Sequence, residues 1–75
     1  MNVRTEVEEA MRALKTGAIR IADIHTKTEV TRLHKGDTLR IEERKSATVL
    51  VIERVGAKYL VTLKYITRVD RVQPF

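Results

Sequence analysis

Apolar residues open the chain at helical spacing. Val3, Val7, Met11 and Leu14, with Ala10 beside them, fall four, four and three apart and lay one stripe along a 3.6-residue period. Thr5 and Glu8 fit a capping box, in which the hydroxyl takes a free amide of the first turn and the carboxylate reaches back. Glu6, Glu8 and Glu9 lie toward the positive end of the helix dipole, Arg12 and Lys15 toward the negative end, and Gly17 supplies a left-handed stop. The spacing predicts a helix over residues 1–17 that buries Val7, Met11 and Leu14 against the rest of the chain.

Beyond Gly17, Val, Ile and Thr become dense and the period shortens to two, as branched side chains on a pleated surface require. Ile19 and Ile21 alternate with Arg20 and Ala22; Ile24 is out of phase with them and predicts a bulge or strand end near Asp23. Residues 26–35 show no clean period. Gly36-Asp37 predicts a turn, Leu39 and Ile41 a strand alternating with Arg40 and Glu42, and Arg44-Lys45-Ser46 the next turn. Thr48 to Ile52 is apolar on both faces, the mark of a central strand or a subunit contact. Val55-Gly56-Ala57-Lys58 fits a two-residue type II′ hairpin loop with Gly first. Tyr59, Val61, Leu63 and Tyr65 then alternate with Leu60, Thr62 and Lys64. The phase breaks at Ile66, and the spacing of Ile66, Val69 and Val72 predicts a sharp bend into a short last strand ended by Pro74. The pattern as a whole predicts one α+β domain, mainly β. A helix (1–17) precedes four or five antiparallel strands (18–75) in a small barrel or strongly bent sheet. An echo of Arg4-Thr5-Glu6-Val7 in Lys27-Thr28-Glu29-Val30 is read as coincidence.

Composition narrows the function classes. A chain of 75 residues buries only ~60% of its unfolded surface, so self-association is one route to added stability. The absence of cysteine excludes disulfides, iron–sulfur clusters and thiolate zinc sites. No apolar run approaches the ~20 residues of a membrane span, and Met1 to Leu14 is too acidic for a signal peptide. A cytoplasmic protein with no membrane partner is expected. His25 and His34 lack Cys or carboxylate neighbours at metal-ligand spacing. Glu42 and Glu43, adjacent on a strand, point to opposite faces and are read as partners of Arg40 and Arg44. The glycines stand singly at turns, without a phosphate-cradling loop. The expectation is a protein that is not an enzyme and carries no metal or cofactor.

The charge is more informative, because it is unevenly placed. Lys and Arg number 15 against 10 Asp and Glu, net +5, yet residues 1–15 balance. From Arg54 to Arg71 stand Arg54, Lys58, Lys64, Arg68 and Arg71 against Asp70 alone, +4 of the +5. Lys58, Thr62 and Lys64 fall opposite the tyrosines on one strand face. Basic side chains that neutralise phosphates release counterions, which makes Lys58, Lys64, Arg68 and Arg71 candidates for binding nucleic acid. With two Tyr, one Phe and no Trp, a broad stacking platform is not expected.

A helix followed by a compact antiparallel meander resembles the Sm-like fold, in particular its Hfq branch. The similar stretch is Val49-Leu50-Val51-Ile52, a Gly turn, then Tyr59 to Val69 with Lys64-Tyr65-Ile66-Thr67. The resemblance implies a homo-oligomer that binds RNA in preference to DNA. It places Lys64 and Tyr65 near a uridine pocket, and Arg12, Lys15 and Arg20 near a basic rim. The chain departs from the family in lacking its second-strand glycine and acidic loop residue, and residues 22–35 have no counterpart. Lys35-Gly36-Asp37-Thr38-Leu39-Arg40-Ile41-Glu42 resembles the step into a strand of the AbrB/MazE class, which implies a dimeric DNA-binding regulator instead. A small oligomeric structural or adaptor protein, for example from a phage, is the third class.

Overall fold

The computed structural model describes residues 2–72; the predicted stop at Pro74 lies outside them. Helix α1 spans Val3–Thr16, and its N-cap is Asn2 rather than Thr5. The Asn2 side chain accepts the Thr5 amide at 3.1 Å, which a short carboxamide at that position does well. Thr5 is therefore inside the first turn, and the capping-box reading is corrected. Gly17 closes the helix at φ 83° as expected. Val7, Ala10 and Leu14 are buried, whereas Met11 is only half-buried because it borders an open cleft.

Six strands follow: β1 (Ile21–Thr26), β2 (Val30–His34), β3 (Thr38–Glu43), β4 (Thr48–Arg54), β5 (Ala57–Thr62) and β6 (Ile66–Val72). They form two antiparallel three-stranded sheets, ordered β2-β1-β6 and β3-β4-β5. The architecture is α+β and mainly β, with six strands in place of four or five. The strand that sequence missed is β2, where outward Val30 and inward Thr31 break any apolar alternation. In β1 the buried pair is Ala22 and Ile24, with Ile19 packed before the strand begins. The irregularity lies between His25 and Thr26, opposite β6, not at Asp23. The last strand is as long as β4, seven residues, rather than short.

Arg54 pairs with Ala57, so the β4–β5 loop is Val55-Gly56. Gly56 comes second, at φ 76°, as a type II turn requires and a type II′ turn does not. Strand β5 stops at Thr62, and Leu63–Tyr65 make one 3-10 turn before the chain bends into β6 at Ile66. The period-two run to Tyr65 thus spans a strand and a helical turn.

Both sheets and the helix share one core, built from Val7, Ala10 and Leu14, Ala22, Ile24 and Leu33, and Leu50, Ile52 and Val61. Strand β4 is central, and Val49, Leu50, Val51 and Ile52 are all buried. Leu50 and Ile52 face the core. On the other face Arg40 lies opposite Val51, its guanidinium held by Glu42 at 2.6 Å and by Glu53. This ion-paired side chain, with Leu60 opposite Val51 on the other flank, accounts for an apolar strand buried on both sides within one chain.

Leu14→Ala should lower unfolding free energy by about 2–4 kcal/mol through a core cavity. Met11→Ala, at a half-exposed position, should cost about 1 kcal/mol. Urea melts of the two variants measure the difference.

Candidate nucleic-acid interface

Folding divides the basic residues into two populations. Seven of the nine arginines lie within 4.0 Å of a carboxylate. Arg4 contacts Glu8 and Glu43, Arg32 forks onto Asp23 at 2.9 and 3.1 Å, and Arg40 spans Glu42 and Glu53. Arg44 meets Glu42, Arg54 meets Asp37, Arg68 meets Asp70, and Arg71 meets Glu9. Glu42 thus takes both neighbouring arginines expected of the acidic pair, while Glu43 turns to Arg4. Among the described residues, Arg12, Arg20 and the lysines have no such partner.

The basic residues of the C-terminal half are not gathered into one surface. Lys58, the second residue of β5, lies opposite Glu53, and Lys64 sits in the 3-10 turn beyond the strand's other end. The strand-face relation expected between them is therefore broken. The Lys64 ammonium lies 5.2 Å from the centroid of the exposed Tyr65 ring, within cation–π range. Arg68 bonds Asp70 at 3.0 Å on the outer face of the first sheet. There His25 Nε2 stands 2.9 Å from Asp70 and 3.3 Å from Arg68. Arg71, three residues on, reaches toward Glu9 of the helix at 4.0 Å. Partners such as Glu9 and Asp37 are remote in sequence, so counting local charge overstated the free positive charge of this segment.

A different group does converge. Arg12 and Lys15, on the last turns of α1, line an open cleft of about 620 Å³ together with Lys35 of the β2–β3 turn. Met11, Leu14 and Leu39 form its apolar floor, with Gly36 and Asp37 at one side. The Arg20 backbone adjoins it, since its carbonyl accepts the Lys35 amide at 2.9 Å. Lys35 runs across the end of the helix: a Cβ placed on Gly17 would lie 3.3 Å from its Cε. The helix C-terminus carries partial negative charge, which favours cations there. Arg12, Lys15 and Arg20 were expected from sequence; Lys35 was not singled out, because nothing local shows that the nearby Asp37 is committed elsewhere.

That commitment is the electrostatic key to the cleft. Asp37, with a side chain 7% exposed, accepts the His34 amide at 2.8 Å and the Arg54 Nε at 3.0 Å. Burial pushes its carboxyl up, but the bonds from Arg54 and the His34 amide outweigh this and hold it below the usual value. The one carboxylate lining the cleft is thus ionised and already neutralised by Arg54.

Among the described residues no group of His, Cys, Asp and Glu is placed to hold a metal ion. No described helix is long and apolar enough to cross a membrane. No protein-family model matches the chain, and comparisons with curated proteins and with solved structures return no match.

A depressed carboxyl contributes stability above its unfolded pKa and loses that contribution as pH falls through its folded value. Asp37→Asn should therefore lower stability by about 1–3 kcal/mol near neutral pH. The gap from the unsubstituted protein should close from about pH 4 downward. Urea melts of both proteins across that range measure it.

Proposed function

We propose that this is a non-catalytic nucleic-acid-binding protein, acting as a homo-oligomer, that holds a phosphate backbone against Arg12, Lys15, Arg20 and Lys35. The observation that carries the reading is the contrast in pairing. Arginines elsewhere are neutralised by carboxylates, whereas Arg12, Lys15 and Lys35 line one cleft with the Arg20 backbone beside it, and among the described residues none of the four has a carboxylate partner. Unneutralised cations beside one another are costly unless an anion joins them, and a polyanion gains counterion entropy on doing so.

RNA is favoured over DNA on the likeness to the Sm-like family, whose basic rim is expected to fall at Arg12, Lys15 and Arg20. The exposed Tyr65 ring, with Lys64 above it, offers a place for an unstacked base. Two sheets that share one core and meet at the Gly36 corner, open at their edges, support the strongly bent sheet of the two expected forms. The cytoplasm is the compartment that suits this role. The AbrB/MazE likeness rests on the same Lys35-Gly36-Asp37 corner and leads instead to duplex DNA.

Changing Arg12, Lys15 and Lys35 together to Ala should weaken binding of single-stranded RNA at low salt by tenfold or more. The slope of log affinity against log salt should flatten by roughly 0.7 for each phosphate left unneutralised. Changing Arg68 and Arg71 should have a smaller effect, because both already have carboxylate partners. Gel shifts at two salt concentrations measure these effects, with circular dichroism to verify folding. Preference for duplex DNA supports the regulator reading. Undiminished binding by the triple variant, or no binding by the unsubstituted protein, overturns the proposal.

A further inference from the structure

The two sheets end in four edge strands, β2, β6, β3 and β5. An edge presents unpaired backbone groups, and soluble proteins guard it with charge, proline or a bulge. Two of the four are guarded, β6 by Arg68, Asp70 and Arg71 and β3 by Arg40, Glu42 and Glu43, whereas β2 carries only Arg32, which Asp23 neutralises. Strand β5, Ala57–Thr62, has a single charge, Lys58 at its start, and neither proline nor bulge. It also exposes Tyr59 (46%) and Leu60 (49%), which alternate to opposite faces.

We propose that β5 is a self-association edge, pairing antiparallel with β5 of a second copy about a twofold axis through Leu60. Of the two charge-poor edges, β5 exposes the larger apolar side chains, Tyr59 and Leu60 against Val30 of β2, and β5 on β5 closes about a twofold axis whereas β5 on β2 leaves an open-ended contact. Such an axis, perpendicular to the sheet, keeps each face on its own side. Leu60 then meets Leu60 of the second copy, Tyr59 meets Val61, and Lys58 meets Thr62. The two lysines stand at opposite ends of the paired strands, so like charges do not oppose each other. An axis through Tyr59 would instead press Lys58 onto Leu60. Because Leu60 lies opposite the buried Val51, and Val51 opposite Arg40, the preferred register joins Val51 and Leu60 of both copies into one apolar row across the four central strands of a six-stranded sheet, with Arg40 at each end. A single-strand contact falls below the ~1,200 Å² of a standard stable interface, so the dimer should dissociate on dilution.

This inference gives a geometry to the oligomer of the proposed function. Its test uses the full chain without nucleic acid, so either proposal can fail alone. Sedimentation equilibrium of the unsubstituted protein should show a concentration-dependent monomer–dimer equilibrium, which Leu60→Lys should shift to monomer while circular dichroism shows the fold retained. The chain has no cysteine, so introduced thiols report contacts directly. Cross-strand Cα atoms stand ~4.5–5.5 Å apart, within disulfide range. Under mild oxidation Leu60→Cys should yield a linked dimer, and Val30→Cys, on the exposed β2 edge, should not. Mixed Lys58→Cys and Thr62→Cys proteins should link to each other more than either links to itself. These results support the pairing. A monomer at every concentration, an oligomer untouched by Leu60→Lys, or a larger ring in which Leu60→Cys forms no disulfide overturns it.

Discussion

The contact between Asp37 and Arg54 holds together the corner at which the chain leaves one sheet and enters the other. At this corner Gly36 takes φ 101°, a conformation that costs a side-chain-bearing residue dearly. The carboxylate draws in the His34 amide and the guanidinium from the end of β4, while Arg54 also donates to the Arg32 carbonyl of β2. One cation of the second sheet thereby grips both the last residues of the first sheet and the turn between them. The apolar core needs both sheets in register, and the cleft beside α1 needs Lys35 pointed across the helix end. Both conditions trace back to this tie.

The same contact sorts the charges. Arg is suited to rigid, forked recognition of carboxylates, and here it is used mainly inside the molecule, on Asp23, Asp37, Glu42, Glu53 and Asp70. The lysines, compact charges on flexible stems, are left to solvent. The two arginines outside this scheme, Arg12 and Arg20, border the cleft region with Lys15 and Lys35. Structural pairing thus consumes most of the arginine charge; of the bases left without a carboxylate among the described residues, Arg12, Lys15 and Lys35 line one cleft, while Lys27, Lys45, Lys58 and Lys64 stand apart from it.

Much of the fold was legible in the sequence because it is written in local periods. The Val3–Leu14 stripe and Gly17 specified the helix, and the doubly apolar Thr48–Ile52 specified a central strand. Strand β2 was hidden because apolar Val30 faces outward while polar Thr31 shares the inward side with Leu33, so the apolar alternation reduces to one residue. The break at Ile66 was visible, but the 3-10 turn behind it was not, since Leu63 is buried in either conformation. The candidate site was legible only in part. Arg12, Lys15 and Arg20 entered only through the family resemblance, and free charge depends on partners brought from afar, as Glu9 is to Arg71 and Asp37 to Arg54.

The pairing of β1 with β6 also sets an order of assembly. Ile24 faces Val69, and His25 reaches Asp70 across 45 positions of chain. The β3-β4-β5 meander, by contrast, closes through short turns. During synthesis the meander can form as soon as its own residues are free, but the first sheet lacks its third strand until Ile66–Val72 has emerged. Until then the inner faces of β1 and α1 have no lasting cover, and the nascent protein presents them to whatever chaperone or neighbouring chain is at hand.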